Sequence, residues 1–491
     1  MSNPKADTVL PLQVPHLDTR RPRARKGTAV AALVALGLAA GFLALGDVLG
    51  RGRAERGQHG LDPFFSQVNT HDDLCVGGVS HSGYIGLKGD SEETPKRSFF
   101  WYFEAQNNPE TAPVILTIGG GPGTSGMLNA LLGQSHCALT ENLTTIRNPN
   151  AWSENFNVVA LDHPVGVGFS YGTHVNNSVD AAYDAYDFLV KFMSLYPHLA
   201  KNQLVLAGGS YGGVYIPHIA TVIHEQNTLL ARGGGTHGAV HLQLESMMVS
   251  NPMSDYLSHN RWIMHQRCYY TDLYNASTCA TAYEALPFCL EAVQLAYALG
   301  TVEARVHALE LCEANQVEVP GRSFENVEKR CNGTLEDCMP EGVRAATFMN
   351  LPGTKATLGA REDITFRSVD LEVNREFHAV GDECQQAHLL YEPLLAAGYR
   401  LLHYIGKLDA NCAWPGVLST LKLIRSQYQP AFAAAPDVPW AGENATLRVV
   451  GPGAGNFTYV LMGGAGHFVT HDQPALVKKI VGHWVGNVPF Q

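Results

Sequence analysis

The chain is 491 residues long, 45% hydrophobic and only 16% charged, so it can build a large core and is not a disordered polypeptide. Its 34 Lys and Arg stand against 45 Asp and Glu, a formal net charge of -11 and the wrong balance for an electrostatic nucleic-acid binder. Its 49 glycines show no Gly-X-Y period, and no long repeat is visible, which excludes collagen, solenoids and propellers.

Residues 1–28 are polar, basic and proline-containing, and read as a disordered cytoplasmic tail. Ala29–Gly46 is 18 residues without a charge, preceded by Arg20, Arg21, Arg23, Arg25 and Lys26. That length just spans a bilayer, and the basic cluster predicts a cytoplasmic N-terminus with the bulk translocated. Ala44 and Gly46 also fit cleavage after Gly46, but 28 residues are long for the leading part of a signal peptide. A single-pass type II signal anchor is the favoured reading and a cleaved signal peptide the alternative. Both place the remainder in the secretory pathway, on the lumenal or extracellular side. Residues 47–74 read as a linker with Arg51, Arg53, Gly57, Gly60 and Pro63, and the folded part is expected over 75–491.

The ten cysteines include no CxxC, and six lie between Cys268 and Cys338, a pattern that suggests disulfides in an oxidising compartment. Six Asn-x-Ser/Thr triplets, at Asn142, Asn176, Asn275, Asn332, Asn444 and Asn456, are candidate glycosylation sites on the same side.

Ser98–Glu104 is aromatic and strand-like. Pro113–Ile118 is an apolar run ending in Gly119-Gly120-Gly121-Pro122-Gly123; Asn157–Leu161 ends at Asp162; Gln203–Ala207 is a third run. Short runs without alternation fit strands buried on both faces of a parallel sheet. Val179–Tyr196 and Tyr215–Gln226 carry helical spacing. The fold expected is α/β, a central mostly parallel sheet with helices on both faces. Residues of about 255–380 hold most of the cysteines and read as an inserted disulfide-containing cap. The α/β pattern resumes at Tyr399–Ile405 and Phe457–Met462, with a last helix near Gln473–Val485.

Gly208-Gly209-Ser210-Tyr211-Gly212 fits G-x-S-x-G between a strand and a helix, the setting of a nucleophile elbow. A serine needs a base, and the base needs an orienting carboxylate. Asp409 and His467 each follow an apolar strand, in the chain order Ser, Asp, His that this fold uses. Sites of open α/β sheets collect at these strand ends. Asp162 also ends a strand but precedes the serine, and is set aside as structural. Acyl transfer needs N–H donors for its oxyanion, and the backbones of Tyr211 and Gly121 are the candidates. A phosphate loop is the competing use of the glycine run, but Pro122 removes a donor and no Gly-Lys-Ser/Thr follows.

At these residues the chain resembles the serine carboxypeptidase family of α/β-hydrolases. Ser80–Ile85 is similar to its "YSGYI/L" start, and Phe99–Ala105 with Asn107–Asn108 to "FFWFFEARN". Gly120–Gly123 resembles the oxyanion loop, Asn148–Trp152 "NPYSW", and Leu161–Tyr171 "LDQPVGVGFSY". Gly208–Pro217 resembles "GESYAGHYIP", Asp409–Trp414 the acid loop with Ala413 at its Asn, and Gly466–Pro474 "AGHMVPxDQP". The resemblance implies Ser210 as nucleophile, His467 as base, Asp409 as its orienter, and the Gly121 and Tyr211 amides as oxyanion hole. It also implies a Cys75–Cys137 disulfide, as in secreted fungal members. Cys331 and Cys338 are further disulfide candidates.

The departures fall on the side chains with which the family grips a substrate's terminal carboxylate through shared protons. Its Asn is Gly119 here, the Glu before the nucleophile is Gly209, and a second Glu falls at about Gly133. The Cys of its oxyanion loop is Thr124, and the Met after the catalytic His is Phe468. Gly119, Gly120, Gly209 and Phe468 are the candidate substrate-binding positions. Losing protonated glutamates removes the reason for an acidic optimum. The expected activity is removal of C-terminal residues from peptides. The alternative is an esterase or acyltransferase on the same triad, acting on an acyl ester. A non-enzymatic tethered domain fits poorly, because all three triad residues are present. No metal or organic cofactor is implied, and membrane contact is expected only through the N-terminal segment.

Overall fold

The computed structural model describes residues 68–235, 239–317, 319–332 and 335–490. The expected tail 1–28, the apolar segment 29–46 and most of the expected linker lie outside the described residues. Among the described residues no helix is long and apolar enough to cross a membrane.

The strands in chain order are β1 (Asn69–His71), β2 (Ser80–Gly86), β3 (Lys96–Phe103), β4 (Val114–Ile118), β5 (Cys137–Leu139), β6 (Thr145–Arg147), β7 (Asn157–Leu161), β8 (Tyr171–Gly172), β9 (Leu204–Gly209), β10 (Leu244–Ser250), β11 (Arg400–Gly406), β12 (Val438–Pro439), β13 (Ala445–Val450) and β14 (Phe457–Met462). β5 and β6 form a separate ribbon. The others make a 12-stranded sheet in the order β1-β2-β3-β7-β4-β9-β10-β11-β14-β13-β12, with β8 on β3. The centre, β7-β4-β9-β10-β11-β14, is parallel. Antiparallel hairpins extend both edges. β1 lies inside the stretch whose composition reads as linker. Asn69, Thr70 and His71 carry no apolar signal, and pairing with β2 makes them a strand.

Alternate residues of the central strands enter two separate cores. Val114, Leu116 and Ile118 join Val159 and Leu161 under the helices Ser178–Leu195 and Gly212–Ala231. Ile115, Val158, Ala160, Val205 and Ala207 face the other way, against the helix Pro474–Val485. Each Val, Leu or Ile among them stabilises the fold by about 1.5–3 kcal/mol when fully buried, so the apolar runs are explained by two-sided burial.

The chain between β10 and β11 is the cap. Its long helix Ala276–Leu299 starts where the Asn275 side chain accepts from Thr278 N–H, and ends at left-handed Gly300. Disulfides Cys268–Cys279, Cys289–Cys312 and Cys331–Cys338 staple the cap, and Cys75–Cys137 ties the ribbon to the segment before β2. Cys384 and Cys412 are buried thiols. Asn142, Asn176, Asn275, Asn332 and Asn444 are exposed, whereas Asn456 is half-buried beside a buried Thr458.

Candidate active site

β9 ends in Gly208-Gly209, and the chain turns sharply at Ser210 into the helix Gly212–Ala231. Ser210 has φ +58°, the left-handed region that costs a non-glycine residue about 1–3 kcal/mol. Three hydrogen bonds hold it there. Ser210 N–H donates to Ser250 O (3.0 Å), and Ser210 O accepts from Gly213 N–H (2.9 Å) and Met253 N–H (3.0 Å). The hydroxyl is thereby presented above the sheet.

The loop after β4 packs directly on this turn. A Cβ on Gly120 would lie 2.5 Å from the Gly209 carbonyl oxygen and 2.9 Å from Tyr211 N, so only glycine permits the approach. The next N–H, on Gly121, and the N–H of Tyr211 have no acceptor among the described residues. Two such donors beside a serine can receive a developing oxyanion.

His467 and Asp409 come from the loops after the neighbouring parallel strands β14 and β11. Asp409 is fully buried. Its Oδ1 accepts from Asn411 N–H (2.7 Å) and Cys412 N–H (2.8 Å). Its Oδ2 accepts from Asn251 Nδ2 (2.6 Å) and lies 2.7 Å from His467 Nδ1. The acceptor-only carboxylate places the imidazole proton on Nδ1 and leaves Nε2 to act as base. Nε2 is not hydrogen-bonded to Ser210 among the described residues; it faces Glu325 Oε2 at 3.8 Å. Burial opposes a charged His467, but the Asp409 and Glu325 carboxylates outweigh it and lift its pKa to about 9. Burial likewise raises the Glu325 carboxyl. Cys412, whose thiol contacts the Ser210 hydroxyl, is pushed well above the usual thiol range by burial and by Asp409.

Glu325 belongs to a cap segment stitched to both loops. Ala410 N–H donates to Phe324 O (2.9 Å), and Val327 N–H donates to Leu408 O (3.1 Å) on the acid side. His467 N–H donates to Glu325 O (2.6 Å) on the base side. Asn411 Nδ2 donates to Glu325 Oε1 (3.1 Å).

A cavity of about 180 Å³ is walled by Ser210, His467, Gly120, Gly121, Gly209 and Phe468, with Glu325, Asn129 and Gln134. Gly119 is not on its wall. A Cβ there would lie 2.0 Å from Thr124 O, so a side chain at this position would require the loop to shift. Asp162 is structural: buried, it accepts from Ser125 Oγ and from Phe169 N–H (2.9 Å), and burial lifts its carboxyl to about 7. Sequence reasoning missed Asn251, Glu325, Asn129 and Gln134. Asn251 was within reach, because it directly follows β10 at the same C-terminal end of the parallel strands. No cluster of His, Cys, Asp and Glu suited to a metal occurs among the described residues.

A mixed sheet with a parallel centre, a serine at a strained strand-to-helix turn, and an aspartate–histidine pair on the next strand ends define an α/β-hydrolase. The family model for serine carboxypeptidases matches residues 72–487. The chain belongs to the serine carboxypeptidase family. It is 29% identical over 426 residues to carboxypeptidase Y of Candida albicans, covering 85% of this chain and 75% of that protein. It is 31% identical over 436 residues to carboxypeptidase Y homolog A of Ajellomyces capsulatus, covering 87% and 77%. Its fold matches the crystal structure of KEX1(delta)p, a prohormone-processing carboxypeptidase from Saccharomyces cerevisiae. That match has a TM-score of 0.70 at 20% identity, covering 84% of this chain and 92% of that one.

Proposed function

We propose that this chain is a serine-type carboxypeptidase that removes C-terminal residues from peptides through an acyl-enzyme on Ser210. The observation that carries the reading is the 2.7 Å Asp409–His467 pair, whose imidazole lines one cavity with Ser210 and the glycine loop. Neutral His467 Nε2 takes the hydroxyl proton as Ser210 Oγ attacks the last peptide carbonyl. The Gly121 and Tyr211 N–H groups take up the oxyanion charge. His467 returns the proton to the departing amine, and the C-terminal amino acid leaves. Water, deprotonated by the same nitrogen, then hydrolyses the ester and regenerates Ser210. Asp409 fixes the ring and balances its transient positive charge.

The esterase or acyltransferase reading draws on the glycines at 119, 133 and 209, where the family's carboxylate-gripping side chains are missing. Product analysis decides. An N-blocked peptide with a free C-terminus is incubated with the protein from pH 4 to 9, with Ser210→Ala as control. Release of the last amino acid, abolished in the variant, supports the carboxypeptidase. Equal turnover of the free acid, its amide and an ester supports the alternative.

Four disulfides and exposed glycosylation triplets favour an oxidising, secretory location. Within that reading, Ala29–Gly46 serves as a type II anchor rather than a cleaved signal. Carbonate extraction of membranes from expressing cells tests it: recovery in the soluble fraction would remove the anchor.

A further inference from the structure

We infer that Gln134, assisted by Asn129, receives the terminal carboxylate of the substrate, an inference that rests on the carboxypeptidase reading. Gln134 is 5% exposed and lines the cavity that holds Ser210 and His467. Neither end of its carboxamide has a hydrogen-bond partner among the described residues, and Oε1 is wholly enclosed. Leaving an amide N–H unpaired in so enclosed a residue costs about 1–3 kcal/mol, which an accepting ligand recovers; a carboxylate pairs with the Nε2 end and not with Oε1. Nε2 is the less enclosed end and donates to nothing among the described residues, so its two N–H hydrogens are left for an acceptor in the cavity. Asn129, on the same wall, spends one Nδ2 hydrogen on Ile118 O (2.9 Å) and keeps the second. The π-type turn Ala130–Gln134, closed by Ser135 N–H to Ala130 O (3.1 Å), sets the two amides around one lip of the cavity.

A carboxylate accepts and never donates, so it needs N–H or O–H groups. The charged groups facing this cavity serve it poorly. His467 is tied to Asp409, His471 is paired with Glu341 at 3.1 Å, and Glu325 repels an anion. Of the three neutral carboxamides on the wall, Asn411 donates to the Glu325 carboxylate, which repels an anion, and that leaves Gln134 and Asn129. They have no proton to lose, so their grip is independent of pH, unlike a grip made by protonated glutamates. Gly133, between them, offers no carboxyl; a Cβ there would touch Thr470 Cγ2 at 3.1 Å. The competing anion receptor is Arg344, in the adjoining cavity of about 300 Å³ that shares Leu132, Thr470 and His471 with the first.

Calorimetry on the full chain carrying Ser210→Ala tests this without turnover. An N-acetylated dipeptide and its C-terminal amide are titrated into that protein, and into the same protein with Gln134→Leu, Gln134→Glu or Arg344→Gln added. The parent should bind the acid more tightly than the amide at both pH 5 and pH 8. Gln134→Leu should cut that preference at least 10-fold. Gln134→Glu should keep it at pH 5, where its carboxyl is partly protonated, and lose it at pH 8. A preference that survives Gln134→Leu, that Arg344→Gln abolishes instead, or that the parent never shows would overturn the assignment. Acid preference through Gln134 without release of an amino acid by the active protein would sink the carboxypeptidase reading and leave this one standing.

Discussion

The Glu325 carboxylate stands 3.8 Å from His467 Nε2, while Asp409 holds Nδ1 of the same ring at 2.7 Å. The base is thus flanked by two carboxylates, and its pKa is lifted to about 9. Nε2 accepts the serine proton only when the ring is neutral, so kcat/KM should climb with pH until about 9. Glu325→Gln removes one anion and lowers that pKa. The variant should reach its plateau at lower pH and exceed the parent near pH 7. An unchanged acid limb in the pH profile would refute this role.

Asn251 positions the acid. Its side chain, on a residue with φ +44°, donates to Asp409 Oδ2 at 2.6 Å. A hydrogen bond to a charged group is worth about 1.5–3 kcal/mol. Asn251→Ala should lower kcat by about tenfold or more with KM nearly constant. A change confined to KM counts against a positioning role, and the Asn251→Asp variant, which sets a second anion beside Asp409, should not rescue activity.

His403 is buried in β11 with neither ring nitrogen bonded, its ring 5.8 Å from that of Tyr391. Burial depresses its pKa to about 3. The unfolded chain takes up a proton near pH 6.5 that the folded chain refuses until about pH 3, so stability is lost as the pH falls through that window. His403→Phe should raise the melting temperature more at pH 5 than at pH 8. Equal gains at both would mean that packing alone is responsible.

The Cys289–Cys312 bridge closes a loop with a sequence separation of 23 between the helices Ala276–Leu299 and Val302–Glu313. Replacing both cysteines by alanine should cost about 3 kcal/mol in denaturant unfolding, chiefly by freeing the unfolded chain. A loss below about 1 kcal/mol would show that the helix pair holds without the staple.

The parallel centre of the sheet was legible because strands buried on two faces read as unbroken apolar runs, as Val114–Ile118 and Asn157–Leu161 do. Ser210, Asp409 and His467 were legible because each follows such a run. Glu325 was not. Its neighbours Phe324 and Asn326 carry no period, and only tertiary hydrogen bonds to the acid and base loops bring it to the cavity. Gln134 was hidden for a related reason. A glutamine in sequence is an ordinary surface residue, and its enclosed, unpartnered carboxamide exists only once the turn Ala130–Gln134 is formed. β1 escaped because three polar residues become a strand solely by pairing.

The backbone of Phe324–Val327 clasps both the loop that bears Asp409 and the loop that bears His467. The insertion is therefore no detachable module. A chimera that grafts a relative's cap onto this sheet would replace part of the frame that aligns acid with base. In this protein, changes in selectivity introduced through the cap and changes in turnover are inherited together.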